Sequence, residues 1–374
     1  MEGALASIDI DELVHTGPTA LAGKFLRRFW QPIFLAADLQ PGVPHRVKML
    51  DEHFTLFRCV SGAAALLEDR CKHRQTQLSL GWVEGDAIRC FYHGWVWDKR
   101  GNCIEQPAER ENFAPVCVRS YPVREYLGFI FAYLGTGETP EFPRFPEVER
   151  EGWVSASRVD PVPCNYFQRL ENDVDEVHVP FVHKVSSDAK GFSLVPKVRA
   201  FESEYGMRRE STRADNSVRV AHFLMPNILW TVIPPSAGHL AWRVPVDDEH
   251  TLSFIVHTRQ ADDERARKEA RIDGRETAAD PMTLTAAILA GKMRVQDLDP
   301  AYPGLLHVQD NVVLAGQGII TQRRLDRLAA SDTAIALLRR IWLRELTALA
   351  EDRPPKEWQR PAEMLQAGIV APDA

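Results

Sequence analysis

The tightest constraint on this chain is a spacing: Cys71 and His73, sixteen intervening residues, then Cys90 and His93. Each pair, in "CKH" and "CFYH", fits within one turn of backbone. A fold that brings the two turns together collects two thiols and two imidazoles around one point. The surrounding chain is strand-like: "HFTLFRCV", "AAALLEDR", "DAIRCFY", "GWVWD", "VCVRSYPV" and "LGFIFAYLG" are rich in β-branched and aromatic residues. Gly62, Gly81, Gly85, Gly94 and Gly101 punctuate these runs, and "KRGN" reads as a turn. The pattern predicts a small antiparallel β-domain carrying the two pairs at hairpin ends.

Two thiolates and two imidazoles suit either a structural zinc or an iron–sulfur centre with histidines on one iron. Zinc sites usually group like with like along the chain, whereas each loop here supplies one ligand of each kind. In a two-iron cluster both thiolates can bind one iron and both imidazoles the other. Cys59, Cys103, Cys117 and Cys164 have no ligand-like neighbours and are expected to pack as small apolar residues.

The quartet and its flanks, "CKHRQTQLSLGW" and "CFYHGWVWDKRGNC", resemble the Rieske [2Fe-2S] motif of the Rieske non-heme iron oxygenases. The resemblance implies that Cys71, His73, Cys90 and His93 hold the cluster. Respiratory-type Rieske proteins add a disulfide across the cluster loops; Thr76 and Tyr92 stand at the corresponding positions, which suggests the lower-potential, oxygenase-like version.

Beyond the β-rich region, "GTGETPEFPRFPEV" carries two Gly and three Pro without periodicity. It predicts a division into residues 1–145, a Rieske domain with an N-terminal helical segment, and 146–374. The second part mixes a helical segment around 164–179, strand-like runs such as "SVRVAHFLM", "LAWRVPV" and "TLSFIVHT", and helical runs from about 301 to 350. The fold class is therefore α+β, with a helix-plus-antiparallel-sheet catalytic domain after the Rieske domain. The charge-dense "RQADDERARKEARIDGRE" is read as a solvated helix face or loop.

"RLENDVDEVHVPFVHK" supplies a second candidate site. Asp175 and His178 are spaced to share a helix face, whereas five residues of unbroken helix would turn His183 roughly 140° away from His178. Pro180 between the histidines predicts a break near Val179 that returns His183 toward His178. Two histidines and one carboxylate on one face of a metal leave positions open for dioxygen. "LLHVQDNVVLAGQGIITQR" resembles the segment carrying the third iron ligand in phthalate-type members of the family, which points to Asp310; Asp297 and Asp299 are the competitors.

The resemblance spans most of the chain, including "KFLRRFWQPIFLAADL" and "AWRVPVDDEHT", and implies a chemistry. In that family a head-to-tail homotrimer sets one subunit's cluster beside its neighbour's mononuclear Fe(II), and an acidic residue joins a histidine of each. Asp175 matches that residue by its Asp-x-x-His spacing, and Asn172 is a further candidate near the iron. The chain has neither a flavin fingerprint nor a second cluster motif, so an NAD(P)H-dependent reductase, acting directly or through a ferredoxin, is an expected partner. The expected activity is hydroxylation or O-demethylation of a carboxylated or phenolic aromatic with O2. Ring cis-dihydroxylation is the alternative, and a Rieske electron carrier without oxygen chemistry or a zinc-stabilised module are the readings from other classes.

Composition bounds the rest. The 45% hydrophobic and 26% charged residues are those of a globular protein. A net charge of -7, with 45 scattered Lys and Arg, argues against a nucleic-acid or membrane-surface role. The start lacks a basic segment followed by an apolar one, and "LGFIFAYLG" is far below the ~18 residues needed to span a bilayer, so a cytoplasmic protein is expected.

Overall fold

The computed structural model describes residues 8–109, 113–184, 195–233, 238–260, 280–360 and 364–370. The charge-dense segment falls almost wholly outside them. The chain forms two compact units, one of residues 17–19 and 26–142, the other of the N-terminal residues to 16, 20–25 and 143–374.

The smaller unit is built of short antiparallel strands. They are β1 (Trp30–Leu35), β2 (His45–Met49), β3 (Glu52–Arg58), β4 (Ala64–Glu68), β5 (Trp82–Glu84) and β6 (Ala87–Arg89). β7 (Val96–Asp98), β8 (Cys103–Glu105), β9 (Ser120–Tyr121), β10 (Val123–Tyr126) and β11 (Phe129–Tyr133) follow. They make three sheets, ordered β1-β11-β10, β2-β3-β4-β9 and β5-β6-β7-β8. The "KRGN" turn closes β7 onto β8, and Gly101 takes the left-handed backbone there, at φ 86°. Phe57, Leu67, Leu78, Ile88 and Trp97 form a buried core that also takes in Cys71 and Cys90.

The larger unit centres on an antiparallel sheet of eight strands. They are β12 (Trp153–Val162), β13 (Lys197–Glu202), β14 (Gly206–Thr212), β15 (Val218–Leu224), β16 (Ile228–Thr231), β17 (Gly238–Pro245), β18 (Thr251–Gln260) and β19 (Gly368–Val370). The order is β12-β18-β17-β16-β15-β14-β13, with β19 added to β15. Helices α1 (Leu21–Leu26), α2 (Tyr166–Val174), α3 (Val179–Val182), α4 (Pro281–Leu289), α5 (Leu305–Gly316) and α6 (Thr333–Ala350) complete it. β17 is buried along its whole length, so its apolar and polar positions alike face packed neighbours.

α2 starts where Asn165 caps it, its side chain accepting from Phe167 N–H. Tyr166 and Phe167 pack on Trp342 of α6 with ring centroids 5.9 and 5.5 Å apart. The acidic residues of α2 are clamped: Glu171 by Arg323 and Arg339, Asp173 by both Arg243 Nε at 2.7 Å and Nη2 at 2.8 Å. These pairs fix the helix end from which the candidate site hangs.

Two expectations need correction. Asp175 and His178 do not share a helix face: α2 ends at Val174, Asp175 is extended (φ -81°, ψ 123°), and His178 caps the short α3. The break therefore precedes Pro180, which sits in the first turn of α3, where its missing N–H costs nothing. The N-terminal segment also departs from the 1–145 division, because residues up to 16 and 20–25 belong with the larger unit. Tyr166 Oη donates to Leu13 O at 2.7 Å, Asn165 to Val14 O at 2.9 Å, and Phe25 packs on Trp342 at 5.1 Å. Leu13, Ala22 and Phe25, all fully buried, find their apolar partners there.

Candidate metal centres

In the smaller unit Cys71 and Cys90 open two equivalent turns. Cys71 N–H donates to Thr76 O and Cys71 O accepts from Gln75 N–H, both at 2.9 Å; Cys90 N–H donates to Trp95 O at 2.8 Å and Cys90 O accepts from Gly94 N–H at 3.1 Å. The fifth residue of each turn is left-handed, Gln75 at φ 61° and Gly94 at φ 75°. At Gly94 a Cβ would also come within 3.2 Å of Pro107, so glycine is needed for both backbone and space.

The turns sort the four side chains by type. Cys71 and Cys90 are buried and hydrogen-bonded to each other, an interaction that pushes the Cys90 thiol down to about 6 and the Cys71 thiol up. His73 and His93 are exposed, with ring centroids 4.4 Å apart, and His73 stacks on Trp95 at 4.6 Å and 3°. Sulfurs together inside and imidazoles together outside is the donor set of a two-iron cluster ligated by thiolates at one end and histidines at the other. A single tetrahedral zinc would instead draw all four onto one point. Of the other cysteines, Cys59 and Cys164 are buried as expected, but Cys103 is half-buried and Cys117 exposed.

In the larger unit the structure brings His178, His183 and Asp310 together, with one ligand atom of each within 4.8 Å of the others. His183 Nε2 lies 3.2 Å and His178 Nε2 3.7 Å from Asp310 Oδ1. That oxygen is buried, and its lone pairs and the two ring nitrogens converge on one point. Burial alone would raise the Asp310 pKa; the hydrogen bond from His183 and the field of Arg169 hold it well below the usual carboxylate range. The same burial would lower His183, and the hydrogen bond to Asp310 raises it instead.

The surrounding contacts orient these groups. His183 Nδ1 is 2.9 Å from Gln309 Oε1, which fixes Nδ1 as the donor and leaves Nε2 for Asp310 or a metal. His178 Nδ1 lies 3.4 Å from Asp175 Oδ2. Burial would raise Asp175, but His178 and the Val177 N–H bring it below its ordinary value. Arg169 Nη1 sits 3.7 Å from Asp310 Oδ2 and its Nη1 also donates to Asn172, whose Nδ2 is 3.4 Å from His178 Nε2. Asp297 instead pairs with Arg294 at 2.6 Å, and Asp299 accepts from Ala301 N–H; neither joins the triad.

Gln309, Arg169 and His307 were missed by sequence reasoning. His307 and Gln309 precede Asp310 on α5, and His307 Nε2 is 3.2 Å from Asn311 Nδ2. Their proximity to Asp310 in the sequence was the available signal; Arg169 had none.

The Rieske [2Fe-2S] domain family matches residues 29–122. The 5,5'-dehydrodivanillate O-demethylase oxygenase subunit of Sphingobium sp. is 30% identical over 92% of this chain and 81% of its own length. The chain belongs to the Rieske non-heme iron oxygenases. It is an oxygenase subunit of that family, and the phenoxybenzoate dioxygenase subunit alpha of Ectopseudomonas oleovorans is 34% identical over 89% of this chain and 83% of that one. The terminal oxygenase of carbazole 1,9a-dioxygenase from Novosphingobium sp. superposes with a TM-score of 0.66 over 88% of this chain and 93% of that one, at 19% identity, a likeness of fold. No helix among the described residues is long and apolar enough to cross a membrane.

Proposed function

We propose that this Rieske oxygenase hydroxylates or O-demethylates an aromatic substrate bearing a carboxylate or phenol. Cys71, His73, Cys90 and His93 would hold the [2Fe-2S] cluster, and His178, His183 and Asp310 a mononuclear Fe(II). When bound, the cluster supplies single electrons and the Fe(II) the activation of dioxygen. The observation that carries the reading is Asp310 Oδ1, buried and facing two imidazole nitrogens at 3.2 and 3.7 Å. Two imidazoles and a carboxylate converging at that distance are the donor set that a divalent cation completes.

The chain's own groups prepare the site. Gln309 Oε1 accepts a hydrogen bond from His183 Nδ1–H and Asp175 faces His178 Nδ1, so both rings turn Nε2 inward. Arg169 balances the second Asp310 oxygen. Asp175, half-buried at the break after α2, is the group that would also accept from His73 or His93 of a neighbouring subunit in a head-to-tail homotrimer. The oxygenase then needs an NAD(P)H-dependent reductase, with or without a ferredoxin, as its electron source.

The substrate class is supported by relatives whose names specify a dehydrodivanillate and a phenoxybenzoate. A coupled assay of the iron-loaded oxygenase with a surrogate reductase, vanillate and 3-methoxybenzoate tests it. Formaldehyde released in step with NADH consumption is the expected result; NADH consumption unaffected by either compound would overturn it. Ring cis-dihydroxylation, favoured by the phenoxybenzoate dioxygenase relative, would give a diol and no formaldehyde.

A further inference from the structure

We propose that His239 and His257 form a recognition site for the carboxylate of an aryl-acid substrate, on the sheet face covered by the helices that carry the iron triad. The proposal rests on the reading of that triad as the oxygenase centre and assigns the group that selects its substrate. His239 of β17 and His257 of β18 are directly opposed in the ladder, their ring centroids 4.9 Å apart at 64°. His239 is only 5% exposed and its Nδ1 has no hydrogen-bond partner; His257 Nε2 is likewise buried and unpartnered. A buried ring nitrogen without a partner is costly, and two of them side by side indicate a group that arrives from outside.

Register locates the pair. His239, Ala241 and Arg243 alternate onto one face of β17, and Arg243 on that face grips Asp173 of α2. Across the sheet, Ala156 opposes His257, so Arg158 and Asp160 share the face, and Asp160 Oδ2 is 4.0 Å from His307 of α5. Thus α2 and α5, which position Arg169 and Asp310, lie over the same face as the two histidines. Burial decreases across the row from His239 through half-buried His257 to exposed Ala156, which leaves the approach open at β12.

The charge around the pair suits an anion. Burial first, then His257, Arg243, Arg158 and Arg169, push His239 well below its ordinary value; burial, Arg158, Arg259 and Arg243 bring His257 to about 3, with Asp160 opposing. The rings are therefore neutral, each with one N–H to give, in the field of guanidinium groups held by carboxylates, Arg243 by Asp173 and Arg158 by Asp160. His239 Nδ1–H and His257 Nε2–H offer two donors, one for each oxygen of a carboxylate, and charge-assisted hydrogen bonds of this kind are the strong ones.

Calorimetric titration of the iron-loaded protein with 3-methoxybenzoate and with 3-methoxybenzyl alcohol, its uncharged analogue, is the test. Wild type should bind the acid at least about ten-fold more tightly than the alcohol, and His257→Leu should bring the two within about two-fold with iron content unchanged. His257→Gln, which keeps an N–H donor, should recover part of the preference. His239→Leu should behave as His257→Leu does, and since His239 is the more buried of the two, the His257 variants decide if that protein fails to fold. Equal binding of acid and alcohol by wild type, or an undiminished preference in His257→Leu, would overturn the proposal. Binding is read without turnover, so a failed demethylation assay beside a retained acid preference would count against the reaction and not against this site.

Discussion

One carboxylate oxygen organises the second site. Asp310→Ala removes the group on which His178 and His183 converge, so the account expects the mononuclear iron to be lost while the cluster and its visible spectrum stay; iron analysis reads this, and full occupancy would redirect the assignment. His257 offers a pH test. Its pKa falls from 6.5 to about 3 on folding, so between those values the unfolded chain binds the extra proton and stability drops as pH falls. Between pH 7.5 and 5.5 this one group should cost about 1 kcal/mol, read as a lower urea midpoint at the acid pH, and His257→Gln should flatten its share. At this scale the spacing of the Cys/His pairs and the His-x4-His motif was plain in the sequence, because each lies within a few residues. Arg169 and Gln309 were not, because their roles exist only once α2 and α5 are packed side by side.

The site's precision comes from how α2 is held. Asp173 is buried between Arg243 and Arg169, and removing it leaves the buried Arg243 guanidinium without its carboxylate. Asp173→Ala should therefore destabilise the larger unit by about 3–5 kcal/mol, measured by chemical denaturation, and a change under about 1 kcal/mol would show the clamp to be dispensable. The sequence pointed to a break near Val179, whereas the break lies at Asp175, before the first histidine. Proline announces a helix interruption, yet it is equally at home in the first turn of a new helix, and only the extended Asp175 backbone distinguishes the two. β17, β18 and β15 were legible from their apolar and β-branched runs. β12 was not: much of it is exposed and Pro161 interrupts its "VSASRVDPV", as an edge strand tolerates.

The division of labour between the units sets the function of the whole molecule. One gathers thiols inside and imidazoles at its surface, the other buries a carboxylate between two imidazoles, and Asp175 is the residue proposed to join such centres across neighbouring subunits. Asp175→Ala should keep both metal sites but lower turnover by about 10–100-fold, and unchanged activity would refute that role. The N-terminal residues illustrate why assembly was the least legible scale: Leu13 and Phe25 announce that they will be buried, but not that Tyr166 and Trp342 bury them. The most direct test of the central claim is Mössbauer spectroscopy of the protein loaded with 57Fe. Two kinds of iron centre in about a two-to-one ratio are predicted, the larger made up of equal thiolate-ligated and histidine-ligated irons, of which one becomes ferrous with dithionite. A single kind of iron centre in fully loaded protein would contradict the account.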